Sequence, residues 1–380
     1  MNKIVIIGAG EFQNPLILKA KEMGYETHVF AWKSGDIGEK TADYFYPISI
    51  IEKEKILEIS KKIDPCAVVS IGSDLATITV NYVARHLGLV CNPSESDYCS
   101  TNKYIMRKRL KSAGLKTPKF VSVNQKTEIK KVVEGFSYPL IVKPTDRSGS
   151  RGITEVNKSE ELEVAVSRAI EESFEKCAII EEFIQGEEYS CECISYRGKH
   201  IFLSITKKYT TGFPHYIERG HIQPAVFSED IKNKIKAEVF CALDALDVKY
   251  GASHSEFRVD SEGNVRIIEI GARMGGDCIG SDLVQISTGT DYMKQTIQVA
   301  LGNEPEVCKN DTKVAVIRFI FNERDKEILE EVSRKEEVVC IRKEVKPILN
   351  RKVTDSSTRY GFYIFECTEQ STAQEIMNEK

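Results

Sequence analysis

The segments Gly251-Ala252-Ser253-His254-Ser255-Glu256-Phe257-Arg258-Val259-Asp260 and Val265-Arg266-Ile267-Ile268-Glu269-Ile270 are separated only by Ser261-Glu262-Gly263-Asn264. β-Branched and aromatic residues on either side of a Gly-Asn turn predict an antiparallel hairpin. With those four residues as the loop, Asp260 faces Val265, Glu256 lies directly across from Glu269, and Phe257 and Ile268 share the buried face. Like charges opposite one another on a ladder are destabilising, so a cation is expected between the two carboxylates. Oxygen donors without a cysteine or histidine cluster suit Mg²⁺, which binds through one or two carboxylates and completes its octahedron with phosphates and water. Mn²⁺ accepts the same donors.

Upstream of the hairpin, three further stretches have the chemistry to receive a phosphate-bearing ligand. Asp146-Arg147-Ser148-Gly149-Ser150-Arg151-Gly152 joins two predicted strands, and its glycines let successive N–H groups converge on an anion. Just before it, Lys143 ends the apolar run Leu140 to Val142, and a lysine is rarely buried unless paired. The third is an apolar strand, Ala178 to Glu182, running into the acidic bend Gln185-Gly186-Glu187-Glu188.

The first ~93 residues alternate strand and helix: Ile4–Ile7, a helix over Pro15–Met23, Glu26–Phe30, a helix over Lys53–Lys62, Ala67–Ile71, and a helix over Ala76–Leu87. That alternation predicts a doubly wound parallel sheet. Its first turn, Gly8-Ala9-Gly10-Glu11-Phe12-Gln13, lacks the third glycine of a dinucleotide fingerprint, and no acid ends the second strand, which disfavours NAD. From Asn92-Pro93-Ser94 a second unit begins, with a helix over Lys103–Ala113, a helix striped by Leu162, Ala165, Val166, Ala169 and Ile170, and a hairpin of Tyr189–Ser195 with Ile201–Lys208. Tyr209–Gly220 has no periodicity and reads as a long loop, and Ser228 is the expected N-cap of a helix over Glu229–Leu246. Lys313–Lys380 reads as a smaller α+β block.

These pieces, in this order, resemble the ATP-grasp superfamily along essentially the whole chain, in the three-part form of its carboxylate-amine ligases. The features carrying the resemblance are Lys103 opening a helix, Val142-Lys143-Pro144, Ser148-Gly149-Ser150-Arg151-Gly152, the Glu181 to Glu188 hinge, and Glu256 and Glu269 followed by Gly271-Ala272-Arg273-Met274-Gly275-Gly276. The resemblance implies a pre-ATP-grasp domain (1–93), a central ATP-grasp fold (94–305) and a C-terminal closing unit (306–380). It implies that Lys103 and Lys143 hold ATP phosphates under a lid formed by Ser148, Gly149, Ser150 and Gly152. Glu181 would meet the adenine amino group, the backbone of Phe183 and Ile184 the ring edge, and Glu188 the ribose, while Glu256 and Glu269 would bind Mg²⁺. Arg273 would stabilise an acyl phosphate, beside Gly275 and Gly276.

Many such enzymes have an asparagine two residues after the second glutamate, where this chain has Gly271. His254-Ser255-Glu256 and Glu218-Arg219-Gly220-His221 look similar to the branch that joins amino acids, with Glu218 toward an amino group and His221 toward a carboxylate or the attacking amine. The expected function is C–N bond formation from a carboxylate, an amino acid by this resemblance, and an amine. A purine-pathway or carbamoyl-phosphate-synthase-like ligase or carboxylase, and a kinase-like ATP-binding enzyme, are the alternatives. The family also suggests a homodimer.

Composition agrees with small-molecule chemistry. The chain has 380 residues, 41% apolar and 29% charged, with 53 basic against 57 acidic residues and a net charge of −4. No basic block offers a footprint for nucleic acid or an anionic membrane, and no apolar run approaches the ~18 residues of a spanning helix. The start, Lys3 to Gly8, lacks signal-peptide features, so residence in the cytoplasm is expected. The eleven cysteines form no CxxC pair, and Cys191 and Cys193 point the same way on a strand as reduced thiols.

Overall fold

A computed structural model describes residues 1–213, 215–308, 313–349 and 351–378. Pro214, in the predicted loop, and residues 309–312, 350, 379 and 380, in the C-terminal stretch, lie outside the described residues.

Four parallel strands, β1 (Lys3–Ile7), β2 (Glu26–Ala31), β3 (Tyr44–Pro47) and β4 (Ala67–Val69), form the first sheet in the order β3-β2-β1-β4. The run of buried residues through β1 is what a parallel strand covered on both faces requires. The helix Asp74–His86 follows β4 with the Ser73 side chain as its cap.

A second sheet is built from β5 (Phe120–Val123), β6 (Leu140–Pro144), β7 (Thr154–Val156) and β8 (Ala178–Glu182), in the order β5-β8-β6-β7. All its pairings are antiparallel. The predicted stripe of the helix Leu162–Glu172 packs on it, with Leu162, Ala165, Val166, Ala169 and Ile170 all buried.

The third sheet has eight strands. They are β9 (Glu187–Tyr196), β10 (Lys199–Thr210), β11 (Glu218–Gln223), β12 (Gly251–Val259), β13 (Val265–Gly271), β14 (Val314–Phe319), β15 (Val338–Val345) and β16 (Gly361–Cys367). Their order is β13-β12-β9-β10-β11-β14-β16-β15. β9 and β10 meet at Arg197-Gly198, both with positive φ, the backbone a two-residue hairpin turn needs.

One expectation changes. Tyr209–Gly220 is not one long loop: Tyr209 pairs with Gly220 and Lys208 with His221, so only residues 211–217 connect β10 to β11. The polar residues of β11 hid its alternation. The C-terminal block joins the large sheet, where β14 pairs with β11.

Candidate active site

The cavity that matters lies between the second sheet and the large sheet. Lys103, Lys143, Ser148, Gly149, Ser150, Glu181, Phe183, Ile184, Glu188, Glu218, Glu256, Glu269 and Arg273, thirteen of the expected site residues, line it together. Gly152, His221, Gly275 and Gly276 do not.

The acidic pair is where the hairpin places it, with Glu256 the Cα partner of Glu269. The reason is less simple than a four-residue loop. Val259, not Asp260, faces Val265, so the loop is one residue longer than expected. A bulge past Glu256 restores the register, pairing Phe257 with Ile267. Ile268, expected to be buried beside Phe257, therefore turns into the cavity wall.

Each carboxylate holds a lysine. Lys103 Nζ donates to Glu269 Oε1 at 2.7 Å and to the Arg147 carbonyl at 2.6 Å, and Lys208 Nζ donates to Glu256 Oε1 at 2.5 Å. Lys208 also lies 3.2 Å from Glu188 and 3.9 Å from Glu218, so three acids surround one buried ammonium. Burial opposes its charge, yet those acids hold its proton well above the usual lysine range. Burial would likewise push Glu256 up, but Lys208 and His254 keep it well below the ordinary carboxylate range. The two facing carboxylates are hard oxygen donors beside a lysine-rich cavity, a set that fits one Mg²⁺ shared with phosphates. Among the described residues no cluster of three or more acidic, histidine or cysteine side chains offers a complete protein cage.

The end of the cavity toward β6 and β8 is organised by Arg107, which the sequence reading missed. It is 1% exposed on the helix Lys103–Ser112, pairs with Glu181, and donates to the Ile267 carbonyl at 3.0 Å, bridging two sheets. Glu181 also takes Lys143 at 2.7 Å. Its carboxyl, raised by burial but lowered more by the two cations, falls to about 2, and Lys143 is itself pulled below its usual range by burial. Thus the Glu181 carboxylate, expected at the adenine amino group, is first of all the counter-ion of two buried cations. At the hinge, the Phe183 N–H donates to the Pro139 carbonyl, and Arg258 reaches the Ile184 carbonyl (2.8 Å) and Glu188 (3.1 Å). The Arg258 guanidinium stacks over Phe183 and Tyr216.

The lid loop has positive φ at Gly149, Ser150 and Gly152. Ser148 to Ser150 face the cavity, whereas Gly152 is buried behind it, where an added Cβ would meet Pro144 and Glu172.

At the other end Arg273 donates through Nε to Asp74 Oδ1 (2.7 Å) and through Nη2 to Oδ2 (3.2 Å), a bidentate pair that ties the cavity to the first domain. This pair explains Gly271: a Cβ there would lie 3.0 Å from both the Arg273 guanidinium carbon and Asp74 Oδ1. The space beside the position of the familiar asparagine is filled by an ion pair. Gly275 is set back, its N–H donating to Glu192 at 3.1 Å; the fully buried Glu192 also holds His254 Nδ1, and His254 Nε2 lies 3.2 Å from Glu256. Burial opposes charge on His254, but Glu192 and Glu256 push it up to about 9. Gly276 touches neither group.

Glu218 accepts from Ser356 at 2.7 Å. His221 is buried on β11, not on a loop, with Nε2 3.6 Å from Asp277, which Arg359 clamps at 2.5 and 2.9 Å. Cys191 and Cys193 do point the same way, Sγ atoms 3.6 Å apart, and all eleven cysteines are free thiols. Among the described residues no helix is long and apolar enough to cross a membrane.

Residues 136–282 match the family model described as an ATP-grasp domain. Alanine–anticapsin ligase of Bacillus amyloliquefaciens is 27% identical over 277 residues, 64% of this chain and 58% of that protein. D-alanine–D-alanine ligase of Parabacteroides distasonis is 26% identical over 207 residues, 52% and 58% of the two chains. The chain thus spans little more than half the length of these curated relatives. Among solved structures, L-amino acid ligase from Bacillus licheniformis superposes with a TM-score of 0.84 at 24% identity, covering 99% of this chain and 96% of that one. N5-carboxyaminoimidazole synthetase from Staphylococcus aureus, complexed with ADP, gives 0.80 at 17% identity over 99% and 96%. The matched ATP-grasp domain runs from just before β6 through both strands that carry the acidic pair, and the fold of the L-amino acid ligase structure extends over the whole chain.

Proposed function

We propose that the protein is an ATP- and Mg²⁺-dependent ligase that activates a carboxylate as an acyl phosphate and joins it to an amine. The observation that carries this is one cavity in which Lys103, Lys143 and Lys208 surround the facing carboxylates Glu256 and Glu269. Three buried cations and two apposed acids have little structural value by themselves. With nucleotide they would exchange partners: the lysines would meet phosphate oxygens, and Glu256 and Glu269 would hold the metal. Bound there, Mg²⁺ would neutralise the charge that develops on the phosphates.

The chemistry needs no protein nucleophile. A carboxylate oxygen of the substrate bonds to the γ-phosphorus as the bond from that phosphorus to the β,γ-bridging oxygen breaks, releasing ADP. The amine nitrogen then attacks the acyl carbon, loses a proton, and phosphate leaves with the former carboxylate oxygen. Both steps build negative charge, which Lys103, Lys208 and Arg273, all lining the same cavity, would stabilise. Joining of amino acids is supported by the likeness to alanine–anticapsin, D-alanine–D-alanine and L-amino acid ligases. Likeness to N5-carboxyaminoimidazole synthetase and to phosphoribosylglycinamide synthetase from Anaerococcus prevotii keeps a purine-type acid or amine as the second reading. Glu218, which lines the cavity, is the proposed contact to the second substrate, whereas His221 is buried behind it beside Asp277; the cytoplasm is the proposed location.

The test is ADP and phosphate release with MgATP across amino acids singly and in pairs, with mass spectrometry of the products. Turnover that requires two substrates and yields their sum less water supports the ligase. A single substrate that gains a phosphate makes the protein a kinase.

A further inference from the structure

A second cavity of about 340 Å³ lies on the far side of Lys103 and Glu269 from the nucleotide end. For scale, an apolar cavity of ~150 Å³ takes a benzene. It shares a wall with the first, made by Lys103, Arg147, Ser148 and Glu269, so a molecule seated in it can present one end to the phosphate site.

Its two sides differ in chemistry. One is apolar: Leu75 and Ile78, one turn apart on the helix Asp74–His86, face Tyr98 and Phe174 across it, with Ile51 at the rim. Ile51, Tyr98 and Phe174 are 60%, 49% and 57% exposed, an unusual concentration of uncovered large apolar side chains around one opening. The other side is charged, and its acids are already satisfied. Asp74 holds Arg273, Glu269 holds Lys103, Asp146 accepts from the Phe174 and Glu175 N–H groups, and Glu175 accepts from Asn102 and Tyr98. The arginines are less fully used. Arg147 Nε is buried without a hydrogen-bond partner, although its Nη2 lies 3.7 Å from Glu172 and its guanidinium stacks on Phe174, and Arg151 is exposed with a longer-range attraction to Asp355. Paired acids beside under-used guanidinium groups favour an anion at the shared wall.

We infer that this cavity holds the body of the carboxylate substrate, which is an acid with a branched aliphatic or aromatic side chain, its carboxylate directed past Arg147 and Ser148 to the phosphate site. The inference rests on the ligase reading and specifies its acid. A small acid would leave Leu75, Ile78 and Phe174 wet, and an acid with a second charge would have to bury it against them.

The experiment replaces the unknown amine by hydroxylamine, whose nitrogen attacks the acyl phosphate to give a hydroxamate and free phosphate, with MgATP and glycine, L-alanine, L-leucine, L-phenylalanine or L-glutamate as the acid. L-Leucine or L-phenylalanine should exceed glycine in kcat/KM by at least about 10-fold, and which of the two leads distinguishes an aliphatic from an aromatic body. Ile78→Trp, which fills the cavity, should remove that advantage while leaving the KM for ATP unchanged. Ile51→Asp at the exposed rim repeats the test without touching the packed helix face. Glycine or L-glutamate used as well as L-leucine, or a preference that neither variant alters, overturns the cavity assignment and leaves the ligase intact. No hydroxamate from any acid, with MgATP binding retained, overturns the ligase reading and this inference with it.

Discussion

The two ends of the main cavity are built by opposite means. At the nucleotide end the functional groups sit on neighbouring strands or beside them. Register alone brings Glu256 to Glu269, while β6 and β8, directly paired, supply Lys143 and Glu181. At the substrate end the contacts join segments far apart in the chain: Asp74 with Arg273, Glu218 with Ser356, Asp277 with Arg359. Ladder hydrogen bonds fix the first set whatever the outer side chains are, whereas the second set depends on each ion pair surviving. Under the proposed function, a fold arranged this way would keep its grip on a nucleotide while its choice of acid and amine changed one contact at a time.

The sharpest way to break the contrast is at the acidic pair. Glu269→Gln or Glu256→Gln should lower Mg²⁺-dependent ADP formation by at least about 1000-fold with the far-UV spectrum unchanged; more than about a tenth of activity retained would remove the metal role. Arg107→Met strands Glu181 with a single cation and should cost about 3 kcal/mol of stability in a denaturant titration, in addition to weakening ATP binding. The same carboxyl predicts an acid limb. Because folding lowers the Glu181 pKa from 4.5 to about 2, its stabilisation is full above pH ~4.5 and fades as pH falls toward 2. A stability-against-pH curve for Arg107→Met should show a shallower acid limb than the parent.

Substitutions at the substrate end should act on turnover instead. Asp74→Asn, which loosens Arg273, is expected to lower kcat by about 10-fold with the KM for ATP held; an equal change in both would show that the two ends are not separable. Gly275→Ala, set behind the cavity, is the exception: it places a methyl 2.7 Å from His254 Nδ1 and 3.0 Å from Glu192, and a loss of about 1–3 kcal/mol of stability should accompany only a few-fold loss of activity.

The same division explains what could be read in advance. β1, the striped helix Leu162–Glu172 and the Ser228 cap are local patterns, and they appear where periodicity and capping put them. The placement of Glu256 opposite Glu269 was legible for a partly accidental reason, since the longer loop and the bulge offset each other. Arg107 was not legible: on its helix it is one of several cations between Lys103 and Lys111, and only its burial between sheets singles it out. Lys208 looked like the end of a hairpin until β11 supplied Glu218 beside it. Asp74 carries no motif, and its partner is 199 residues away.

The continuity of the large sheet has a consequence for the order of events on the ribosome. β11, which carries Glu218 and His221, hydrogen-bonds on its outer side to β14, and β14 in turn to β16. When residue 300 emerges, every proposed nucleotide and metal group has already been synthesised, yet the strand bearing Glu218 still has one bare edge, and Ser356 and Arg359 do not exist. The nascent chain therefore passes through a stage with an open strand that invites pairing with a neighbouring chain. Slow elongation between residues 300 and 367 would lengthen that stage, and nucleotide binding during it would be the natural protection.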